Sequence, residues 1–428
     1  MGEDLRRNGV RNLEAVELGL REAIMKDARG VLEALYSQEC LPIPGQQTRS
    51  GEKVHRLRPK QVKTIFGKIT LRRDYFYNET TDTGRVPLDE ALGLVNSHSP
   101  TLVRLASRVT ARMGYEQASQ DLAAVANIHL EGRQIQRLVN HVSPELAEVR
   151  RKAKNPDDNG IPVMYIEVDG TGVPMVGNEL IARAGKQPDG TAKTREIKLG
   201  CVFTQTKCDD EGKPMRDYES TSYVAGFEAA PEFGARIREE AIRRGFGRAE
   251  KVVVLGDGAA WIWELARVNF ACAVQILDLY HVIERVNDLC NGLYGAGSQW
   301  AMRQKQQWTK MLTQDRVLGL IAAARKRLTQ LGSQSDDVLE KQIRFFENHH
   351  QRMLYQSYHN QGLFYGSGVV EAGCKTVIGL RLKQSGMFWS EPGAQSIATL
   401  RCTLLSNQWD QCWDLLHQSN YLRTRLAG

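Results

Sequence analysis

Apolar residues recur at three- and four-residue spacing near the start of the chain, at Leu13, Val16, Leu20, Ala23 and Ile24. Polar residues fill the gaps, so the first 40 residues are expected to be helical. Pro42, Pro44 and Gly45 then mark a loop. Over 53–77 the period shortens. Ile65, Ile69 and Leu71 alternate with polar or small residues and lead into Tyr75, Phe76 and Tyr77, which predicts a β-hairpin. Helical spacing returns over 100–150. Within it, 115–144 reads as two short amphipathic helices with a polar break near Asn127 to Gly132, a helix-turn-helix-like pair with a slightly long turn. Residues 151–160 carry charge, Pro156 and Gly160, with Ala153 as the sole apolar side chain, so 151–161 is expected to be a linker.

Beyond 161 strands alternate with helices. PVMYIEV (162–168) is an apolar strand ending at Asp169–Gly170. A basic stretch, 182–198, turns at Asp189–Gly190 and leads into a second strand at 199–205, and a third follows at 222–227. Glu232 to Arg244 is a helix stopped by Gly245. VVVL (252–255) is a buried strand ending at Gly256–Asp257–Gly258. A helix from Ala259 to Val268 and a fifth strand, 273–277, come next. From Ser298 to Gln361 there is no proline and the apolar spacing stays helical, so an all-helical insertion is expected over about 291–362. A helix begins near Ser367, which suits an N-cap, and 394–427 is helical. The fold class is α/β, β-β-β-α-β-α-β-α over 162–428, behind an α+β region of 1–150.

Composition narrows the function. The 428 residues allow two or three domains with real cores. No apolar run approaches the roughly 18 residues that span a bilayer, and MGEDLRRNGV lacks the apolar stretch of a secretory signal. Eight cysteines without a Cys-x-x-Cys pair point neither to a disulfide framework nor to zinc, and a cytoplasmic protein is expected. Lys plus Arg exceed Asp plus Glu by 57 to 50, a net +7 that permits a nucleic-acid partner. The excess is concentrated: 53–73 carries eight basic residues and no acidic one. Arg56, Arg58, Lys60, Lys63, Lys68, Arg72 and Arg73 there, with Arg133, Gln134 and Arg137 on the second helix of the pair, are the candidate DNA contacts. A plain helical hairpin is the other reading of 115–144.

Two aspartates stand where buried strands emerge, Asp169 after strand one and Asp257 after strand four. Asp-Gly is also a turn dipeptide that can end any strand. The β-β-β-α-β order, however, sets strand one at the sheet centre beside strand four, so the two carboxylates can converge. Glu371, one turn into the helix after strand five, is the candidate third ligand, though alone it also reads as a first-turn glutamate complementing the helix dipole. Three converging carboxylates repel unless cations share the site. Two-metal phosphoryl transfer uses such a cluster, with Asp169 bridging two Mg²⁺ ions and Asp257 and Glu371 each holding one. In DLYH (278–281), Asp278 and His281 lie one helical turn apart and can face a scissile phosphate. Arg183, Lys186, Lys193, Arg195, Lys375, Arg381 and Lys383 can neutralise phosphates. Trp261, Trp263, Phe388 and Trp389 can stack on bases, with core packing the alternative for the first two. Cys374 reads as a small core residue.

YIEVDGTGVPMV, KTREIKLGCVFTQT, VVVLGDGAAWIW, ILDLYHV and GSGVVEAGCKTVIGLRLKQSGMFW, in that order, resemble bacterial insertion-sequence transposases of the ISKra group. These are DDE enzymes with an RNase H-like mixed sheet and a Mutator-like Asp-x-x-His signature. The resemblance covers most of 162–410. It implies that Asp169, Asp257 and Glu371 form the DDE triad, accompanied by Asp278 and His281, and that a helical insertion separates His281 from Glu371. It implies Mg²⁺-dependent cleavage and joining of DNA, with Mn²⁺ as a substitute and no organic cofactor. The expected partners are the element's terminal inverted repeats and target DNA, held by a homodimer or larger assembly near the nucleoid. Where relatives carry cysteine pairs after the basic hairpin, 75–94 has none and Asn78 stands in their place, so zinc is not expected. The rival expectation is a DNA-binding regulator on a transposase fold, without catalysis.

Overall fold

The structure is a computed structural model and describes residues 13–37, 47–153, 160–181, 185, 187, 190–332 and 337–426. It divides into two compact units, one made of the residues up to Arg150 together with those from Gln408 on, the other of Arg151–Asn407.

In the first unit, helix α1 (Leu13–Ser37) lies on a hairpin of β1 (Glu52–Thr64) and β2 (Gly67–Asn78), extended by β3 (Thr83–Arg85). The hairpin closes at Gly67, whose φ of 114° suits glycine. Strand alternation puts Val62, Ile69 and Leu71 on the covered face, where Leu32 and Tyr36 of α1 pack. The residues that reveal α1 in the sequence lie elsewhere on it: Leu13, Leu20 and Ile24 are 66%, 50% and 56% exposed. A helix that is apolar on two sides displays its period without displaying which side is covered.

Helices α2 (Pro87–Ala91), α3 (Pro100–Thr110), α4 (Tyr115–Ala126) and α5 (Gly132–Lys152) follow. Asn127 ends α4 in the left-handed conformation, and Ile135, Leu138, Val139 and Val142 form the buried stripe of α5. The unit also takes the C-terminal helix α16 (Trp409–Leu426), which the sequence pattern assigns to the α/β domain. Trp409, Cys412, Trp413 and Leu416 are buried, and Arg104 holds Asp410 at 2.6 Å and Asp414 at 2.9 Å. An amphipathic stripe states that a helix needs a core, not which core it joins.

The second unit is built on a five-stranded mixed sheet. Its strands are β4 (Ile161–Pro174), β5 (Thr194–Gln205), β8 (Ser222–Gly226), β9 (Ala249–Gly256) and β10 (Val274–Leu277), in the spatial order β10-β9-β4-β5-β8. A two-stranded hairpin, β6 (Lys207–Cys208) and β7 (Pro214–Met215), leaves β5. β4 pairs antiparallel with β5 and parallel with β9, and β9 is parallel to β10. β4 does not stop at Asp169–Gly170. Its ladder with β5 runs on to Pro174, while its ladder with β9 ends at Glu167–Leu255. The sequence signal at Asp-Gly therefore marks where β9 leaves β4.

Helices cover both faces. At Gly200 an added Cβ would meet Ile237 of α6 (Ala230–Arg243), which packs beside α7 (Ala260–Asn269). At the adjacent residue, on the opposite face, Leu199 touches Gly373 of α13 (Gly368–Gly373). A short α14 (Leu380–Leu382) precedes α15 (Glu391–Leu405), which packs on β8. Between β10 and α13 come α8 (Leu279–Tyr294), α9 (Gln299–Leu312), α10 (Val317–Gln330), α11 (Asp337–His349) and α12 (Tyr355–Asn360). They close around Trp308, Leu320, Ile343 and Phe346, and no strand interrupts them among the described residues. No helix among the described residues is long and apolar enough to cross a membrane.

Candidate active site

The parallel registers bring the aspartates together. Glu167 pairs with Leu255, and Gly256 with Leu277. Asp169 and Asp257 each stand two residues past that last β4–β9 pair, close enough for the charge of Asp257 to act on Asp169, and Asp278 directly follows Leu277. Asp278 donates its N–H to Gly256 O at 2.9 Å. The strand ends thus present three carboxylates along one edge, where ligands commonly meet an α/β sheet.

The three carboxyls play different parts. Asp169 is half-buried: Oδ1 accepts Gly170 N–H at 2.7 Å and Oδ2 accepts the Cys374 thiol at 3.4 Å. Burial raises its pKa, and the charge of Asp257 adds to the rise. Asp257 accepts Ala259 N–H at 3.0 Å. Asp278 is fully buried. Its Oδ1 accepts the His281 N–H at 2.8 Å and lies 3.0 Å from His281 Nδ1, and its Oδ2 accepts from Ser367 N and, at 3.0 Å, Ser367 Oγ. Those contacts use every lone-pair site of a carboxylate. Asp278 therefore caps α8 and orients His281, and does not face a phosphate itself as its place in the sequence suggests.

His281 is left with Nε2 open, because Asp278 accepts from Nδ1 and so fixes the tautomer. Burial pulls the imidazole pKa down. The bond to Asp278 and the charges of Asp278, Asp257 and Glu371 outweigh it, and the net shift is upward. Glu371, half-exposed in the first turn of α13, brings Oε1 within 4.0 Å of His281 Nδ1 and 3.1 Å of Ser367 Oγ. Ligand atoms of Asp278, His281 and Glu371 all lie within 4.8 Å of one another, while Asp169 and Asp257 stand outside that cluster.

Two neighbours escape sequence reasoning. Glu167 sits inside the apolar run YIEV yet is fully buried, and its Oε2 accepts Val370 N–H at 2.8 Å. Burial drives its carboxyl up to about 8. A lone acid in an otherwise apolar strand was the available signal, since a buried carboxyl needs a partner. Cys374 is a hydrogen-bond donor to Asp169 and not merely a packing residue, and burial pushes its thiol pKa up. Ser367 does not cap α13 with its side chain, because its hydroxyl turns to Asp278.

The predicted cations separate by exposure. Arg381 is fully buried, its guanidinium 5.0 Å from the Trp389 ring and Nη1 3.5 Å from Met387 Sδ, which removes it from the phosphate-contacting set. Arg195 is taken up by Glu179 and Glu391. Lys193, Lys375 and Lys383 are exposed, and Lys383 donates to Thr171 Oγ1. Arg183 and Lys186, and the turn residue Asp189, lie outside the described residues. Trp263 and Trp389 are buried, whereas Phe388 is 62% exposed.

In the first unit, Lys60 and Arg73 converge on Asp89 at 2.8 and 3.2 Å, and Lys63 donates to Gln134 at 3.1 Å. Arg56, Arg58, Lys68, Arg72, Arg133 and Arg137 remain exposed. Arg56 also meets Asp74 at 3.0 Å, and Arg58 lies over the Tyr75 ring at 5.7 Å.

The cluster of Asp278, His281 and Glu371 offers the carboxylate and imidazole donors that a divalent cation takes, with Asp278 also accepting from His281 and Ser367. Among solved structures, the Drosophila P element transposase strand transfer complex is similar at 11% identity, with a TM-score of 0.29, over 78% of this chain and 85% of that one. That likeness is too slight to argue from. No curated protein matches the chain. The model of the uncharacterised protein family UPF0236 matches residues 5–408, and the chain belongs to that family.

Proposed function

We propose that the chain is a DDE-type transposase of the insertion-sequence kind its motif blocks resemble, with an RNase H-like catalytic unit in Arg151–Asn407. One observation carries the reading: the parallel neighbours β4 and β9 pair as far as Glu167 and Leu255, each reaches an aspartate two residues on, Asp169 and Asp257, and Glu371 stands on the helix after β10 and its insertion. The sheet order, with β4 central and β9 parallel to it, supports the RNase H-like assignment.

Asp169, Asp257 and Glu371 hold the divalent ions in this reading. Bound Mg²⁺ or Mn²⁺ supplies activation of the attacking oxygen and stabilisation of the leaving one. His281, held through Nδ1 by Asp278, presents Nε2 to a phosphate oxygen and carries a proton there. Lys193, Lys375 and Lys383 neutralise backbone phosphates. Arg56, Arg58, Lys68 and Arg72 on the hairpin, with Arg133 and Arg137 on α5, bind the terminal inverted repeats. Pairing two element ends calls for at least two protomers.

The test is nicking and joining of a DNA duplex carrying the element end in Mg²⁺. Asp169→Ala, Asp257→Ala and Glu371→Ala should each abolish cleavage while gel-shift binding of the end survives. Near-wild-type cleavage by any one of them sinks the assignment. Intact end binding with no metal-dependent nicking by the wild type selects the regulator instead.

A further inference from the structure

We propose that Glu167 is a positioning residue that caps helix α13 from strand β4 and so sets Glu371 in register with Asp169. The inference rests on the reading of Glu371 and Asp169 as metal-holding groups and goes beyond it to what aligns them.

A helix leaves its first N–H groups without partners, and the residue before it usually accepts from the third of them through a side-chain oxygen. In α13 that residue is Ser367, and its hydroxyl points to Asp278 and Glu371 instead. The third N–H belongs to Val370, and it is taken by Glu167 Oε2 at 2.8 Å, a residue 203 positions earlier in the chain. Glu167 and Asp169 share one face of β4, because strand side chains alternate. Val370 directly precedes Glu371. A single buried hydrogen bond therefore fastens the residue before Glu371 to the strand position two before Asp169.

A second buried carboxyl, Asp278, accepts Ser367 N–H and Oγ–H at the same turn. The downstream end of the helix has its own ties: Cys374, which opens the π-helical turn Cys374–Gly379, donates to Asp169 Oδ2 at 3.4 Å, and Arg401 bonds Val377 O at 2.6 Å. Glu167 fixes the upstream end, one residue before Glu371. Glu167 Oε1 has no hydrogen-bond partner among the described residues, so the contact to Val370 is the polar tie that the side chain makes.

The test uses the full chain and compares Glu167→Gln, which keeps an acceptor for Val370, with Glu167→Met, which fills the space without one. Two readouts are taken, hydrogen exchange over 370–375 and binding of Mn²⁺ alone. Gln should match the wild type in both. Met should speed exchange about 10-fold and weaken Mn²⁺ binding about 10-fold. Wild-type behaviour of Met, or equal loss in Gln and Met, overturns the proposal. If Glu167→Met does not fold, Glu167→Asp, whose carboxyl falls one methylene short of Val370, should show the same faster exchange, and unchanged exchange in it overturns the cap. If the wild type binds no Mn²⁺, the metal reading of the site fails, while the exchange comparison still judges the cap.

Discussion

Replacing Glu167 with glutamine keeps the acceptor for Val370 and deletes one titration. The carboxyl lies inside the sheet, where burial denies water to the anion and lifts its pKa from 4.5 to about 8. The bond from Val370 and the charge of Arg216 oppose the rise, and the charges of Asp278 and Glu371 add to it. Between those two values the folded protein holds a proton that the unfolded chain has released. Its contribution to stability is thus complete below pH 4.5 and is lost as pH climbs to about 8. From pH 6 to pH 8 the loss amounts to about 2 kcal/mol, at roughly 1.4 kcal/mol per pH unit for one proton.

Glu167→Gln lacks this slope. Urea unfolding of both proteins at pH 6 and pH 8, in EDTA so that no metal couples to the result, measures it. Other titrating groups cancel when the two pH dependences are subtracted. The wild type should lose about 2 kcal/mol more than the variant across that interval. Equal losses would show that Glu167 does not titrate there and would refute the argument that desolvation governs it.

Arg381 and Lys383 stand two residues apart in the sequence, and their alanine variants should separate. Arg381→Ala should cost about 3 kcal/mol in unfolding experiments, since it empties the space under Trp389. Lys383→Ala should leave stability alone and reduce the salt dependence of DNA binding by about 0.9 in log–log slope. A salt effect without a stability effect for Arg381→Ala would contradict its burial. Trp413→Ala should remove about 3–5 kcal/mol from the first unit, read as faster hydrogen exchange across the β1–β2 hairpin with β4–β5 exchange unchanged. Equal acceleration in both sheets would contradict the division of the chain.

What the sequence disclosed depended on whether the information is local. Each strand of the mixed sheet is visible as an apolar run, and Asp169 and Asp257 are visible because each run ends on Asp-Gly. The register that makes them neighbours is a pairing across nearly ninety residues and leaves no local trace. Glu167 was concealed by the run that surrounds it: one acid among Tyr165, Ile166 and Val168 does not disturb a strand pattern. Its meaning depends on Val370, which lies far along the chain. Arg381 shows the opposite failure. Placed between Lys375 and Lys383 it reads as one more surface cation, yet Met387 and Trp389, a few residues on, close over it. The proportions of Arg195 and Lys60 are similar, because their acidic partners Glu391 and Asp89 are brought in by folding.

The return of Gln408 and the residues after it to the first unit has a consequence for biosynthesis. The chain leaves that unit at Arg150 and re-enters it only after Asn407, so the second unit is an insertion within the first. On the ribosome all of the second unit emerges before Trp409 and Trp413 exist to complete the first. A product truncated before residue 408 contains every strand of the mixed sheet but lacks Trp409, Cys412, Trp413 and Leu416, which are buried in the full chain and belong to the first unit. The first unit is therefore completed only after every strand of the second has been synthesised.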